Sequence, residues 1–528
     1  MAEVNKIDAN TTGLSFAYEA TPNVLPGTPI WIPMEPNSYN NFGGSLTRLT
    51  REPITTGRQK KKGVISDLEA AGSWNQDLTQ NNLAALLPAF FFADYRLKGE
   101  AKNAIGTTTN TFSMTATGSV FTRVGGTIDL SAQFAVGDMV HITGFADPAN
   151  NGVFVVDALS ATTLDLADVV TGTASTLVDE AATANAGAVK VGIEGDAADI
   201  VVDSSATLPA LTSTTYDFTT LGIIPGEWVY IGGDNATSSF ATAANNGYAR
   251  VRSVAANRVV FDKTEATWVT DAGTGKQIHI YVGRVLKNET GTLITKKYLQ
   301  LERQLGAPDD ASPGDVQSEY LTGALANEFT MQVPTANKVN LDVSVVASTS
   351  ETRNSTLGVK AGTRVTAAAI TGDAINTSTD VPRIKLHAID PVNSNPSPLF
   401  AYAENLSITV NNGVTPDKAV GVLGGFDTSI GDFAVTGDLT VYFANVAAVE
   451  AVRANADVTL DYHLVAENAG ISVDIPLIAL GNAQVDIQAG TSIKLPLSAE
   501  AATAESIDTN LNHTLLIVFF DYLPNAAG

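Results

Sequence analysis

The 528-residue sequence contains no cysteine. This absence excludes both a disulfide framework and a thiolate metal site. Histidine is almost as scarce, with five residues, and no two of them have the spacing of a His-Glu-x-x-His metal motif. His141 and His279 lie in alternating segments, where a histidine is expected to be an ordinary packed or surface residue.

Basic residues are also few. There are 31 Lys and Arg against 55 Asp and Glu, and the net charge is -24. A nucleic-acid binder carries a cationic footprint, whereas a chain this acidic repels phosphate and stays soluble. We therefore expect no specific binding of nucleic acid.

Long hydrophobic runs are missing. The longest apolar run, Leu515–Phe520, is far too short to span a membrane. The first residues, MAEVNKIDANTTG, have no apolar core and are not a signal peptide. We expect a soluble protein that is made in a cytoplasm and has no membrane partner.

Catalytic signatures are absent as well. The sequence has no Gly-x-Ser-x-Gly elbow, no P-loop and no Rossmann fingerprint, and nothing selects one pair of carboxylates for glycosidase chemistry. Asp196 with Asp199, and Asp309 with Asp310, could touch a cation, although surface loop acids are the commoner explanation. We expect no enzyme activity, no cofactor and no metal.

What the sequence has is the composition of a β protein. Thr, Ala, Val and Gly are abundant, apolar residues alternate, and turn signals recur. The segment Leu46–Arg96 is the one around which the chain is organised. Its residues predict a strand broken by Pro53, a basic turn over Gly57–Gly63 and a second strand. A helix follows, which Thr79 or Asn81 caps. Leu406–Arg453 repeats this order, with Lys418 in its turn, and we infer a duplicated unit of hairpin, strand and helix.

A second repeat occupies the middle of the chain. Gly137 and Gly226 are 89 residues apart (226 − 137), and each precedes an Asn-Asn-Gly triplet, at Asn150 and at Asn245. Asn-Gly is a strong hairpin signal, because both residues tolerate positive φ. The repeat predicts two small antiparallel β modules.

The remaining segments complete the organisation. Thr21–Pro36 is rich in proline and predicts a surface linker or an arm across a neighbouring subunit. Alternation predicts late strands that include Ala483–Gln488. The predicted domains are residues 1–100 with 284–349 (first β domain), 101–195 and 196–283 (inserted modules 1 and 2), 350–398 (linker or loop region) and 399–528 (second β domain).

The one concentrated basic patch contains Arg58, Lys60, Lys61 and Lys62. It is either a solvated turn or a loop that docks on an acidic neighbour, and in a chain this acidic a second copy is a plausible neighbour. Nucleic-acid binding by so few cations would be weak and sensitive to salt.

The order of several segments resembles the major tail tube proteins of long, flexible-tailed (siphovirus-type) bacteriophages. The resemblance covers about residues 1–100 and 290–528 and leaves out the repeat modules. No single motif is diagnostic, but the set is ordered along the chain. The resembling segments are Tyr18–Pro22, Leu46–Lys62, Gly72–Leu78, Leu299–Arg303, Tyr320–Ala324 and Leu406–Phe443.

The resemblance implies a mainly β fold. It implies two tail-tube-like β-sandwich or barrel halves, each with a flanking helix, into which the pair of small antiparallel β modules is inserted. Sheets of adjacent subunits would join into an inner barrel, and stacked rings would conduct DNA without binding it specifically. Arg58, Lys60, Lys61, Lys62 and Lys418 become candidates for a contact between rings.

The resemblance also implies partners and a location. Rings of three chains with pseudo-six-fold symmetry are expected if both halves adopt the fold, and a homohexamer is the alternative. The family's partners would be the tape measure, tail terminator and distal tail proteins, in a virion tail assembled in the host cytoplasm. Rival interpretations are another virion structural or decoration protein, a β-repeat adhesin that binds host glycans, and a polysaccharide hydrolase.

Overall fold

The computed structural model describes residues 7, 9, 12–54, 56–57, 59–169, 176–306, 316–354, 357–366 and 372–528. Strands dominate this part of the chain, and α-helices are few and short. The prediction of a mainly β fold is therefore confirmed. The chain divides into two compact units, which are taken in turn after the element bounds.

The first part of the chain contains four strands and one helix. They are β1 (Gly13–Tyr18), β2 (Ile30–Met34), β3 (Pro36–Arg51), β4 (Lys61–Asp77) and α1 (Leu87–Phe91). The next part contains β5 (Glu100–Ala101), β6 (Thr111–Thr115), β7 (Val120–Gly125), β8 (Asp138–Thr143), β9 (Gly152–Leu159), β10 (Thr163–Asp168), β11 (Glu180–Thr183), β12 (Gly187–Glu194), β13 (Val201–Asp203), β14 (Ala210–Thr212), β15 (Trp228–Ile231), β16 (Gly247–Ala255), β17 (Arg258–Thr264) and β18 (His279–Tyr281).

The last part of the chain contains the remaining strands and the second helix. They are β19 (Arg284–Lys287), β20 (Leu299–Gly306), β21 (Gln317–Pro334), β22 (Asn340–Ala347), β23 (Thr349–Arg353), β24 (Thr363–Arg364), β25 (Arg383–Ala388), β26 (Ala403–Asn411), β27 (Thr415–Lys418), β28 (Gly425–Ser429), β29 (Ala434–Tyr442), α2 (Ala447–Arg453), β30 (Val458–Ala466), β31 (Ala469–Gly481), β32 (Lys494–Ala502) and β33 (Leu516–Phe520).

Unit 1 comprises residues 1–93, 289–375 and 405–437. Two sheets share the long strand β21, whose first half pairs with β20 and β23 and whose second half pairs with β22 and β26. Gly323, at φ +58°, lies where the partners change, and this backbone conformation favours glycine. Alternate residues in much of these strands are buried, and Trp74, Phe329 and Leu341 are core residues of unit 1.

The helix α1 is shorter than the sequence predicts. Thr79 and Asn82 exchange hydrogen bonds, because each backbone N–H donates to the other's side-chain oxygen, at 3.1 and 3.2 Å. This local ring holds the following residues in turns, and regular α-helix begins only at Leu87. Phe90 then packs edge-to-face on Phe329, with 5.1 Å between ring centroids, which docks α1 on β21.

Unit 2 comprises residues 94–288, 376–404 and 438–528. Its C-terminal sheet is built on β31, which pairs with β30 along one side and with β33 and then β32 along the other. The helix α2 packs on β31. A separate 14-stranded sheet contains β5 to β18, so the inserted residues form one continuous sheet.

The predicted repeat of the inserted modules is visible in this sheet. Its strand order is symmetric: β6-β7-β10-β9-β8-β12 in the first module corresponds to β13-β14-β17-β16-β15-β18 in the second, and β12 pairs with β18 at the centre. The residue after each repeated glycine is a buried acid with a lysine partner. Asp138 pairs with Lys190 at 2.6 Å, and Glu227 pairs with Lys98 at 2.9 Å.

The Asn-Asn-Gly triplets lie where two antiparallel hairpins, β8–β9 and β15–β16, enter their second strands, but they do not form tight turns. Asn151 and Asn246 have φ values of -107° and -100°, so neither takes the left-handed backbone of such a turn. Instead the asparagine side chains close longer loops: Asn150 bonds the backbone of Val178, and Asn245 bonds that of Val269. The triplet repeats because both loops need buried amides, which satisfy backbone groups away from water.

Three segments differ from their sequence expectations. Proline-rich Thr21–Pro36 contains the strand β2, in which Trp31 is 1% exposed. Pro33 lies within this strand, in register with Ser15 of β1. Residues 350–398 contribute β25, which pairs with β30 along its whole length. Ala483–Gln488 is not a strand, because β31 ends at Gly481 and only an isolated bridge joins Asp486 to Lys494.

Candidate assembly surface

A two-stranded ribbon extends beyond the sheet of unit 1. Strand β4 lies between β3 and β22 only from Ala70 to Asp77, because the register with β22 ends at Ala70. We call the segment Leu46–Glu69 the arm, and its described residues have only the β3–β4 strand pairing. At about 3.4 Å per residue, the six residues Leu46–Arg51 give it a reach of about 20 Å.

The arm exposes apolar side chains. Leu49, Val64 and Ile65 are 60%, 58% and 49% exposed, and Ile54 is fully exposed. An isolated two-stranded ribbon is only marginally stable in water, and large exposed apolar groups in one place mark interaction surfaces. The exposed apolar side chains therefore indicate that the arm is a surface for contact with another protein chain.

The arm is also the basic part of an acidic chain. Residues 46–65 contain six Lys and Arg and one Glu. Lys60, Lys61 and Lys62 are exposed, and no described residue forms an ion pair with them. The turn lies earlier in the chain than predicted, because β3 ends at Arg51 and β4 begins at Lys61, which is in register with Arg51. Arg58 lies outside the described residues.

Lys418 lies apart from this basic group, at the base of the arm. Its ammonium group donates a hydrogen bond to Asp67 and is 3.7 Å from Glu69, so it binds β4 from the end of β27. The hydrogen bond from Lys418 lowers the pKa of Asp67, and the same contact raises the pKa of Lys418. Within its own chain, Lys418 therefore braces the arm.

Strand β3 presents a long open edge. Among the described strand pairs, its register is with β4 alone. From Gly44 to Arg51 every residue is exposed. An uncovered strand edge of this length carries unpaired backbone donors and acceptors, which recruit a further strand.

One of the two candidate cation sites uses its carboxylate in hydrogen bonds within the chain. Both carboxylate oxygens of Asp199 accept hydrogen bonds from Ser213 and Thr214, so the side chain is used as a local brace. Asp309 and Asp310 lie outside the described residues. Within the described ranges, no group of three or more His, Asp or Glu side chains is placed to hold a metal ion. No helix in those ranges has the length and apolar character that crossing a membrane requires.

The strongest electrostatic feature of unit 2 is a buried cluster between the inserted sheet and the C-terminal sheet. Asp474 of β31 accepts hydrogen bonds from Lys263 (2.7 Å), Arg250 (3.0 Å) and the indole of Trp228 (3.2 Å). These cations lower the pKa of Asp474 despite its burial. Every donor comes from the inserted sheet, so the cluster fastens that sheet to β31 and has a structural role.

The comparison with known proteins decides the family. A family model described as phage tail tube protein matches residues 9–501. The chain belongs to this family of phage tail tube proteins. No curated protein matches the chain.

Membership in the tail tube family fixes the broad function. Tail tube proteins are structural components of the virion tail that self-assemble into a tube, and the family is not an enzyme family. Sequence reasoning found the arm and its lysines, but it missed the exposed Leu49 and Ile54 and the pairing of Lys418 with Asp67. The spacing of Lys418 gave no sign of that pairing, because the two residues are 351 positions apart.

Proposed function

We propose that this tail tube protein polymerises into stacked rings that form the DNA conduit of a long, flexible-tailed (siphovirus-type) phage. The observation that carries the proposal is the open edge of β3 together with the projecting arm, in a chain that belongs to the tail tube family. An open edge joins sheets sideways within a ring, and a projecting arm reaches along the tube to the next ring.

Each ring contains three chains with pseudo-six-fold symmetry. The support is the correspondence of the two halves. The short helix packs on the long strand in both, α1 on β21 and α2 on β31. The first strand of each half pairs equivalently, β1 with β20 and β25 with β30. A ring of six whole chains is the outcome that would contradict this stoichiometry.

The arm docks on an acidic surface of the neighbouring ring. With 55 acidic residues on each chain, such a surface attracts Lys60, Lys61 and Lys62. The same acidity suits a lumen, because carboxylates repel DNA phosphates within a screening length of about 10 Å. The inserted modules decorate the outside, and the tape measure, tail terminator and distal tail proteins are the other partners. Assembly takes place in the host cytoplasm.

The test replaces the three lysines by glutamate. The triple variant Lys60→Glu, Lys61→Glu, Lys62→Glu should form markedly shorter tubes in negative-stain electron micrographs, because each arm changes from attraction to repulsion. Its unfolding transition should match the wild type, because these side chains are exposed. Arginine at the same three positions is the matched control and should restore tube length. Normal tubes from the glutamate variant would count against docking by the arm.

A further inference from the structure

The partners of the two long strands, β21 and β31, correspond with one exception. Strand β21 pairs with β20, β22, β23 and β26. Strand β31 pairs with the counterparts of the first three, which are β30, β32 and β33. In the described residues nothing on β31 corresponds to β26. One position beside the second half is therefore open.

The register locates this open position in the sequence. Leu321 is opposite Leu301 of β20, and Ile475 is opposite Leu460 of β30. These equivalent pairs give an offset of 154 residues (475 − 321). The β21 residues that pair with β26 are Glu328–Pro334, and the offset carries them to residues 482–488.

Residues 482–488 show the alternation of apolar residues that is typical of a strand, but they belong to no described strand. Phe329, Met331 and Val333 alternate on β21 and are buried. Their equivalents are Ala483, Val485 and Ile487, which alternate in the same way, but Ile487 is 73% exposed. The bridge from Asp486 to Lys494 shows that the segment already runs beside the start of β32. Only its other edge lacks a strand.

We propose that β3 of a second copy of this chain pairs antiparallel with residues 482–488, as β26 pairs with β21 inside the chain. The two strands hold the same place in the chain order, since β3 precedes β4 as β26 precedes β29, and β4 and β29 pair with β22 and β32. The proposal rests on the proposed function, because it names the partner surface of the assembling copies.

This pairing accounts for closure of the ring. Each chain offers one donor edge, β3, and one acceptor edge, residues 482–488, so the contact is heterologous and repeats from chain to chain. With three chains, three β21–β26 junctions within chains alternate with three β3 junctions between chains. The ring then has six equivalent strand junctions and leaves no open edge.

Hydrogen exchange of the wild-type protein gives the first test. Backbone amides of residues 482–488 and of β3 should exchange about tenfold slower or more in the assembled protein than in the dissociated chain, because strand pairing protects them. Amides of β26 should change little, since β26 is already paired within the chain. Unchanged exchange at 482–488 on assembly would overturn the proposal.

Cross-linking gives the second test, and the absence of cysteine makes it clean. Val485→Cys is combined with cysteine at each β3 position from Asn37 to Ser45, one at a time, and assembled protein is oxidised. Pairing predicts a ladder of linked chains at alternate β3 positions only. The matched control, Val485→Cys with Val420→Cys, places the second thiol at a fully exposed site outside β3 and should give no ladder.

The outcomes separate this proposal from the function on which it rests. Hollow tubes without a position-dependent β3 ladder would overturn the pairing and leave the tube function standing. A chain that forms neither tubes nor ladders at any concentration would overturn both. Tubes with ladders at alternate positions would support both.

Discussion

Removing the carboxylate of Asp474 should strongly destabilise unit 2. Asp474 is fully buried and accepts hydrogen bonds from Arg250, Lys263 and Trp228. The variant Asp474→Ala leaves two buried cations with fewer anions, because Arg250 keeps only Asp262 and Lys263 keeps only Asp461, at 3.5 Å. Breaking a buried ion pair from one side costs about 3–5 kcal/mol, and we expect that loss in the free energy of unfolding of unit 2.

The measurement needs to resolve the two units. Native-state hydrogen exchange followed by mass spectrometry reports β16, β17 and β31 in unit 2 separately from β21 and β22 in unit 1. The expected result is a loss of protection in the strands of unit 2 and an unchanged unit 1. Glu404→Ala is the matched control. It breaks the ion pair with Lys494 (2.6 Å), in which both side chains are about one third exposed, and should change little.

One result would refute the reasoning. If Asp474→Ala exchanged within error of the wild type in β16 and β31, the buried cluster would not fasten the inserted sheet to the C-terminal sheet. The inserted modules would then be independent decorations, held by their apolar contacts alone.

Three further predictions follow from buried or bridging side chains. Burial lowers the pKa of three histidines to about 3, well below the value of 6.5 expected in the unfolded chain. Between pH 6.5 and pH 3 the unfolded chain therefore binds more protons than the folded chain. The free energy of unfolding should fall by about 1.4 kcal/mol per histidine for each pH unit below 6.5. Urea titrations between pH 7.5 and 5.5 measure this, and a stability independent of pH would contradict it. The histidines are His387, His463 and His513. Asn245→Ala should lower the free energy of unfolding by about 1–3 kcal/mol, because the N–H and C=O of Val269 both lose their partner. Thermal unfolding should show a similar loss for Asn150→Ala and no loss for the replacement of an exposed Asn. Lys418→Glu should speed hydrogen exchange in the arm, and adding Asp67→Lys should reverse the effect; no reversal would show that the ion pair does not brace the arm.

The features that the sequence predicts well are those with a local physical cause. The glycines at 57 and 63, between two alternating runs, predict the β3–β4 hairpin, and the spacing of Gly137 and Gly226 predicts two equivalent modules. Both signals depend on residues close together in the chain. The mainly β class follows in the same way from alternation and from the composition.

The features that the sequence does not predict depend on distant residues. Asn150 and Asn245 predict turns by local propensity, but their side-chain amides bond backbone groups 28 and 24 residues away. Lys418 lies in a predicted turn, as a docking residue would, but its ammonium group is bound by Asp67, which is far away in the chain. Ala483–Gln488 alternates as a strand does and is not one, because a strand also needs a partner on its edge.

Electron cryomicroscopy of the concentrated, purified protein tests the central claim most directly. The account predicts hollow tubes of stacked rings, with three chains in each ring and with β3 of one chain beside residues 482–488 of the next. Discrete chains at every concentration, or rings whose β3 edges face solvent, would contradict it.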